Sequence, residues 1–269
     1  MRRPIRKQEH GTVQTRFLPA FLRRLPGDDA GDQRAFRDAG DGRRMTWKAA
    51  LAASALGLAA CGPISAQAAE AVFDAPVASR SAKETGGDKI AIFAGGCFWG
   101  VEAVFSHVKG VKSAVSGYHG GNRATADYRT VSSGATEHAE AVRVVYDPSV
   151  VRYDELLRIF FAVVADPTLK NRQGPDRGPQ YNAELVPMSK EQRAVAEAYL
   201  AQMKRSGVWE RPVVTDIRAY KAFYPAENYH QDFAKKNPRH PYIQRWDAPK
   251  VVALKAMFPD YYTGTFKTG

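Results

Sequence analysis

The chain has 269 residues, 44% hydrophobic and 25% charged, with a formal net charge of +11, which describes one globular catalytic domain of ordinary size with extra sequence at one end. Residues 1–44 hold eleven Lys/Arg against six Asp/Glu, and the remaining positive charge is spread through mixed-sign sequence with no Arg or Lys run, so nucleic acid is excluded as a partner. Neither of the two cysteines, Cys61 and Cys97, belongs to a C-x-x-C pair and the six histidines are scattered, so no metal site is expected.

Taken in order, residues 1–44 are rich in Arg, Asp and Gly with little apolar periodicity. They read as disordered, or as a reading frame begun too early with its natural start at Met45. Residues 45–68 read as a signal peptide. Arg43, Arg44 and Lys48 precede the apolar run Ala49–Ala60, and Ala66-Gln67-Ala68 offers an A-x-A cleavage site. The twelve-residue run is too short to span a bilayer. Leu58-Ala59-Ala60-Cys61 also resembles a lipobox, so the expected destination is the periplasm or beyond, with lipid anchoring through Cys61 as the one membrane contact. Residues 69–87, with Pro, Ser, Lys and Gly-Gly, read as a linker, and the folded domain is expected over 88–269.

Lys89–Ala94 reads as a buried strand and Val101–Phe105 carries apolar residues at helical spacing. Between them, Gly95-Gly96-Cys97-Phe98-Trp99-Gly100 places Cys97 at a strand-to-helix turn, where unpaired N–H groups favour a thiolate. Two large aromatic faces follow it. Next come a strand near 110–118, a Gly-, Thr- and Ser-rich loop over 119–137, and a strand at Ala139–Tyr146. A helix is predicted over Tyr153–Val164, then a second long loop over 165–187 with four prolines. Ser189-Lys190-Glu191-Gln192 opens a helix to about Arg205. Pro212–Ile217 reads as a strand, and 226–236 and 248–257 as short helices. This order suggests an α+β domain around a mixed or antiparallel sheet.

Glu140 alternates with Val142 and Val144 and so shares the face that meets the core. A carboxyl there means either that the register is off and Glu140 is an ordinary exposed edge residue, or that it is held protonated by desolvation. In the second case, beside a cysteine nucleophile, it could protonate a leaving oxygen. A cysteine of this kind also fits a thiol hydrolase using His138 or His119 as base, or a non-catalytic binding lipoprotein.

Five stretches together resemble the A-type peptide methionine sulfoxide reductases: Gly95–Gly100; Gly117-Tyr118 and Gly120-Gly121 with Tyr128–Val131; His138–Val142; Gln173–Tyr181; and Phe223–Gln231. The likeness covers about residues 88–240. It implies a ferredoxin-like two-layer sandwich with long functional loops, and reduction of methionine S-sulfoxide, free or in proteins. It casts Cys97 as the nucleophile, Glu140 as the acid, and Tyr128 and Tyr181 as donors to the sulfoxide oxygen. Asp176 would support the site, and Phe98 and Trp99 would hold the substrate's methyl group. No cofactor is implied. Many members resolve the Cys sulfenic acid with further cysteines, but none follows Cys97 here. An external thiol such as thioredoxin or a glutaredoxin/glutathione system would then close the cycle, with a monomer as the default state. Glu137, Ala165 and Asn182 stand where the family usually has Gly, His and Arg.

Overall fold

The computed structural model describes residues 72–269. The expected signal peptide, Cys61 and the segment 1–44 lie outside the described residues. In chain order the strands are β1 (Lys89–Ala94), β2 (Val111–His119), β3 (Ala139–Tyr146), the pair β4 (Arg172–Gln173) and β5 (Asp176–Arg177), β6 (Glu184–Val186), β7 (Asp216–Ile217) and β8 (Phe223–Pro225). The helices are α1 (Phe98–Phe105), α2 (Tyr128–Ser132), α3 (Tyr153–Ile159), α4 (Lys190–Arg205), α5 (Phe233–Lys236) and α6 (Ala248–Met257). Single π turns, Phe160–Val164 and Ile243–Asp247, extend α3 and precede α6.

The main sheet has the order β7-β6-β1-β3-β2-β8. β1 runs antiparallel to both β3 and β6, and β2 antiparallel to both β3 and β8. The central four strands with α1 and α3 therefore make a β-α-β-β-α-β unit of order β6-β1-β3-β2, the ferredoxin-like pattern. Among the described residues only the β6–β7 pairing is parallel, so the sheet is mixed at one edge.

Alternation along the strands separates the two faces. Ala91, Phe93, Val142 and Val144 join the large core with Val101, Val104, Leu156, Leu157 and Phe160. Ile92, Ala94, Ala139, Ala141 and Val186 form a smaller cluster on the other face, with Phe223 packed against it. Each fully buried Phe, Leu or Val contributes about 1.5–3 kcal/mol relative to exposure, so the helix-bearing face supplies most of the driving force. The expected cap opens α4: Ser189 Oγ accepts from the Gln192 N–H at 3.1 Å, while Gln192 Oε1 accepts not from the cap itself but from the Met188 N–H before it, at 2.7 Å.

Two expectations change. Residues 72–87, read as linker, lie along the domain as a belt. The Phe73 N–H donates to the Ala162 carbonyl at 3.0 Å, the Arg158 Nε to the Ala75 carbonyl at 2.9 Å and the Tyr199 hydroxyl to the Pro76 carbonyl at 2.7 Å. The Ala82 N–H donates to the buried Asp154 carboxylate at 2.8 Å, and the Tyr146 hydroxyl to Glu84 at 2.6 Å. Pro- and Ser-rich composition hides this, because the belt is held largely through its own main chain by partners far away in sequence. The expected helix over 226–236 shrinks to Phe233–Lys236, because Glu227, His230 and Gln231 are used as side-chain anchors in a turn.

Removing the belt costs its hydrogen bonds, about 1 kcal/mol each net, offset by the freedom its backbone regains. A chain beginning at Asp88 should melt about 5–15 °C below one beginning at Val72 in a calorimetric scan.

Candidate active site

Cys97 is the N-cap of α1, with φ −54° and ψ 124°. The turn before it depends on Gly96, whose φ of +90° is a left-handed conformation that L side chains rarely adopt. A Cβ there would also lie 2.6 Å from Gln173. One turn on, a Cβ at Gly100 would collide with the buried Asp247 carboxylate at 2.3 Å. The cysteine thus sits where α1 is approached closely by both the second long loop and the π turn before α6.

Glu140, 1% exposed, faces the same helix start: the Phe98 N–H donates to its Oε2 at 3.0 Å. Burial pushes its carboxyl up to about 8, against the pull of that N–H and with help from the charges of Asp176 and Asp247. Its burial puts it on the core-facing side of β3, the side its alternation with Val142 and Val144 indicates, and such burial favours the neutral carboxyl.

The reading of Cys97 as a ready thiolate does not hold. Burial is the largest influence, and the charges of Glu140, Asp247 and Asp176 add to it, so the thiol is held well above its usual value despite the Trp99 N–H. A short helix start surrounded by three acids disfavours further negative charge.

Tyr128 and Tyr181 come from opposite loops, Tyr128 opening α2 and Tyr181 closing the 3-10 turn Pro179–Tyr181. Burial raises both phenols, Tyr128 to about 12, and both also feel the charges of Glu140, Asp176 and Cys97. The structure therefore brings Cys97, Glu140, Tyr128, Asp176 and Tyr181 within electrostatic reach of one another, with both hydroxyls kept as donors. Asp176 stands on the small hairpin β4–β5. Phe98 is 1% exposed and packs on Tyr118 and His230, with ring centroids at 5.9 and 5.0 Å. Trp99 is half-buried and stacks flat on Phe233 at 3.7 Å.

Four further residues complete the site and drew no role from the sequence. Glu227 accepts from the Tyr128 N–H and the Tyr118 hydroxyl, both at 2.8 Å. Burial would raise Glu227, but these donors and nearby His230 hold it below the usual carboxylate range. His230, 2% exposed, accepts the Trp99 indole N–H on Nδ1 at 3.1 Å; burial lowers it, against the charge of Glu227. Tyr242 and Asp247 come from the C-terminal region. The Phe223–Gln231 stretch could have flagged the first two, but nothing local marks the others.

Residues 89–260 match the family model described as Peptide methionine sulfoxide reductase. The chain belongs to that family. It is 50% identical over 181 residues to the Peptide methionine sulfoxide reductase MsrA 2 of Mesorhizobium japonicum, covering 67% of this chain and 93% of that one. It is 45% identical over 208 residues to the MsrA 2 of Synechocystis sp., covering 77% and 96%. Among solved structures it is similar to reduced Mxr1 of Saccharomyces cerevisiae, with a TM-score of 0.51 and 31% identity over 60% of this chain and 92% of that one.

Within this reductase, the departures noted above have partners of their own. Asn182 Oδ1 accepts from the Asn171 N–H at 2.6 Å, so it braces the loop that carries Tyr181. Glu137 pairs with Lys221 at 3.2 Å on the exposed surface. The histidines a hydrolase would need are occupied elsewhere. His138 Nδ1 accepts from the Gly121 N–H and its Nε2 meets the Asn122 carbonyl. His119 stacks on Tyr220, and its Nε2 accepts from the Lys221 N–H at 3.4 Å.

Proposed function

We propose that this chain reduces methionine S-sulfoxide, free or in oxidised proteins, through a sulfenic acid on Cys97 that an external thiol removes. The observation that carries this reading is a buried carboxyl, Glu140, that accepts the Phe98 N–H at the helix start bearing Cys97.

A sulfoxide oxygen is a strong acceptor and a poor leaving group. It needs donors aimed at it and a proton delivered to it. In the proposed step the Cys97 sulfur bonds to the sulfoxide sulfur as Glu140 protonates the oxygen, and the proton the thiol loses returns to the Glu140 carboxylate. Tyr128 and Tyr181 hold that oxygen, and the Trp99 face, backed by Phe98, receives the methyl group. The oxygen passes to Cys97 as a sulfenic acid and methionine leaves. One thiol then condenses with the sulfenic acid, releasing water and forming a mixed disulfide. A second thiol attacks that disulfide, restoring the Cys97 thiol and releasing the oxidised reductant. Cys97 is the one cysteine among the described residues, which supports an external donor such as thioredoxin or a glutathione system. The leader-like stretch 45–68 supports export to the periplasm, with a lipid anchor if Cys61 is retained, and we take the working state as a monomer.

The test is a single turnover without added thiol, using both sulfoxide epimers of one peptide. One equivalent of methionine from the S epimer, and none from the R epimer, is the expected result. No methionine from either epimer, with the protein folded, would reject the reading. Tyr128→Phe and Tyr181→Phe each remove one donor to the oxygen and should lower kcat/KM about 10- to 100-fold, measured with dithiothreitol as reductant.

A further inference from the structure

We propose that Tyr229 is a specificity-determining residue: its exposed ring, at the pocket mouth, receives a side chain next to the oxidised methionine and favours an aromatic one there. This rests on the reading of the site as a sulfoxide pocket and adds the class of sequence the pocket prefers.

Single exposed aromatic residues are ordinary on a protein surface, and what sets this one apart is its neighbours. Tyr229 is 60% exposed, yet its ring centroid lies 4.2 Å from that of His230, with the planes inclined at 43°. His230 is buried and its ring is a hub, with centroids 4.4 Å from Tyr128, 5.0 Å from Phe98 and 5.7 Å from Trp99. Tyr229 is therefore one ring removed from each of those pocket aromatics, on the solvent side of the stack. A methionine side chain is short. A substrate whose sulfoxide meets Cys97 keeps its main chain at the mouth and its neighbouring side chains within reach of this ring.

The ring stands on a rigid support. The His230 N–H donates to the Glu227 carbonyl at 2.9 Å, and the Glu227 carboxylate takes the bonds from Tyr128 and Tyr118. Gln231 accepts from the Ser116 N–H at 3.0 Å and donates to the Ser116 and Ala226 carbonyls at 2.9 and 2.8 Å. A tyrosine so mounted offers a large contact area with few rotamers to freeze, which suits recognition of a neighbouring side chain. Partial burial, then the charges of Glu227 and Asp127, raises its phenol, so both carboxylates are felt at the ring. Asp127 is held below the usual carboxylate range by its bonds to Thr130, as Glu227 is by its own donors. An acidic neighbour on the substrate would meet two like charges, whereas an aromatic one gains a ring pair.

The test uses short alanine peptides with a central methionine S-sulfoxide and Phe or Glu placed immediately before or after it. Turnover is measured with dithiothreitol as reductant. In the parent, Phe on one side should raise kcat/KM about three- to tenfold over Ala, mainly through KM, and Glu there should give no gain. Tyr229→Ala should bring the Phe-to-Ala ratio close to unity, while Tyr229→Phe, which keeps the ring, should preserve it. Taking the ratio within each variant cancels any general loss of folding or activity. A parent ratio below about twofold on both sides, an equal gain from Glu, or an undiminished ratio in Tyr229→Ala would overturn the inference. In each of those cases conversion of the alanine peptide by the parent leaves the functional reading standing. If the parent converts none of the peptides, that reading fails and takes this inference with it.

Discussion

Cys97→Ser should yield no methionine above background from a methionine S-sulfoxide peptide in a single turnover. The substitution changes one atom, and serine is both less acidic and a far weaker nucleophile toward sulfur. The N-cap position tolerates serine well, so the variant should fold with the melting behaviour of the parent. The loss would therefore be chemical, not structural. Methionine formation at more than a few per cent of the parent rate would mean that another group makes the bond to sulfur, and the proposed mechanism would fall.

Glu140→Gln should slow the chemical step about 10²- to 10⁴-fold, because the amide cannot deliver the proton the departing oxygen needs. Its carbonyl can still accept the Phe98 N–H, so the local geometry survives. In the parent, kcat/KM should fall as pH rises through about 8, where Glu140 loses its proton. Cys97 and Glu140 affect each other, so this limb belongs to the pair. It should be absent from the Glu140→Gln profile.

The same carboxyl has an opposite effect on stability. Its proton is held up to about pH 8 in the folded protein, but leaves near the ordinary carboxylate value in the unfolded chain. Below that ordinary value both states are protonated and burial has no electrostatic cost. Between the two values only the unfolded chain gives up the proton, so stability falls steadily as pH rises, and above about 8 the whole cost is present. Glu140→Gln has no such dependence. Its melting temperature should rise relative to the parent between pH 5 and pH 9, and thermal scans at the two ends check this. An enzyme that becomes more stable as it becomes inactive would identify Glu140 as a group kept for chemistry.

The reactive half of the site is legible because it is local. Gly95 to Gly100 spells a strand, a tight turn and a helix start in six residues, and the alternation of Glu140 with Val142 and Val144 places the carboxyl on the core face. The ferredoxin-like order is what the family resemblance implies, while the order of elements alone points only to an α+β domain around a mixed or antiparallel sheet. The supporting half is different. Glu227, Tyr242 and Asp247 reach the site through contacts spanning 66 to 147 positions of sequence, and no period or cap marks them. β8 ends in Pro225 and pairs only at the sheet edge, where proline is tolerated, so its sequence carries no strand signal. Pro212–Ile217 looked like a strand, but Val214 bonds the Pro167 carbonyl and only Asp216 and Ile217 join β6. The thiolate expectation for Cys97 failed for a related reason: the helix start is visible in sequence, while all three of its acid neighbours arrive from elsewhere in the chain.

Those acids also decide what Cys97 ignores. Peroxides attack thiolates, and a thiol kept protonated by burial and neighbouring negative charge is a slow target for them. With no second cysteine among the described residues to trap a sulfenic acid as a disulfide, each stray oxidation would leave the sulfur open to irreversible over-oxidation. A repair enzyme working amid oxidants is protected by an idle nucleophile. The substrate itself supplies what is missing, an oxygen that takes up the nearby proton as the sulfur bond forms, so reactivity appears only when there is damage to mend.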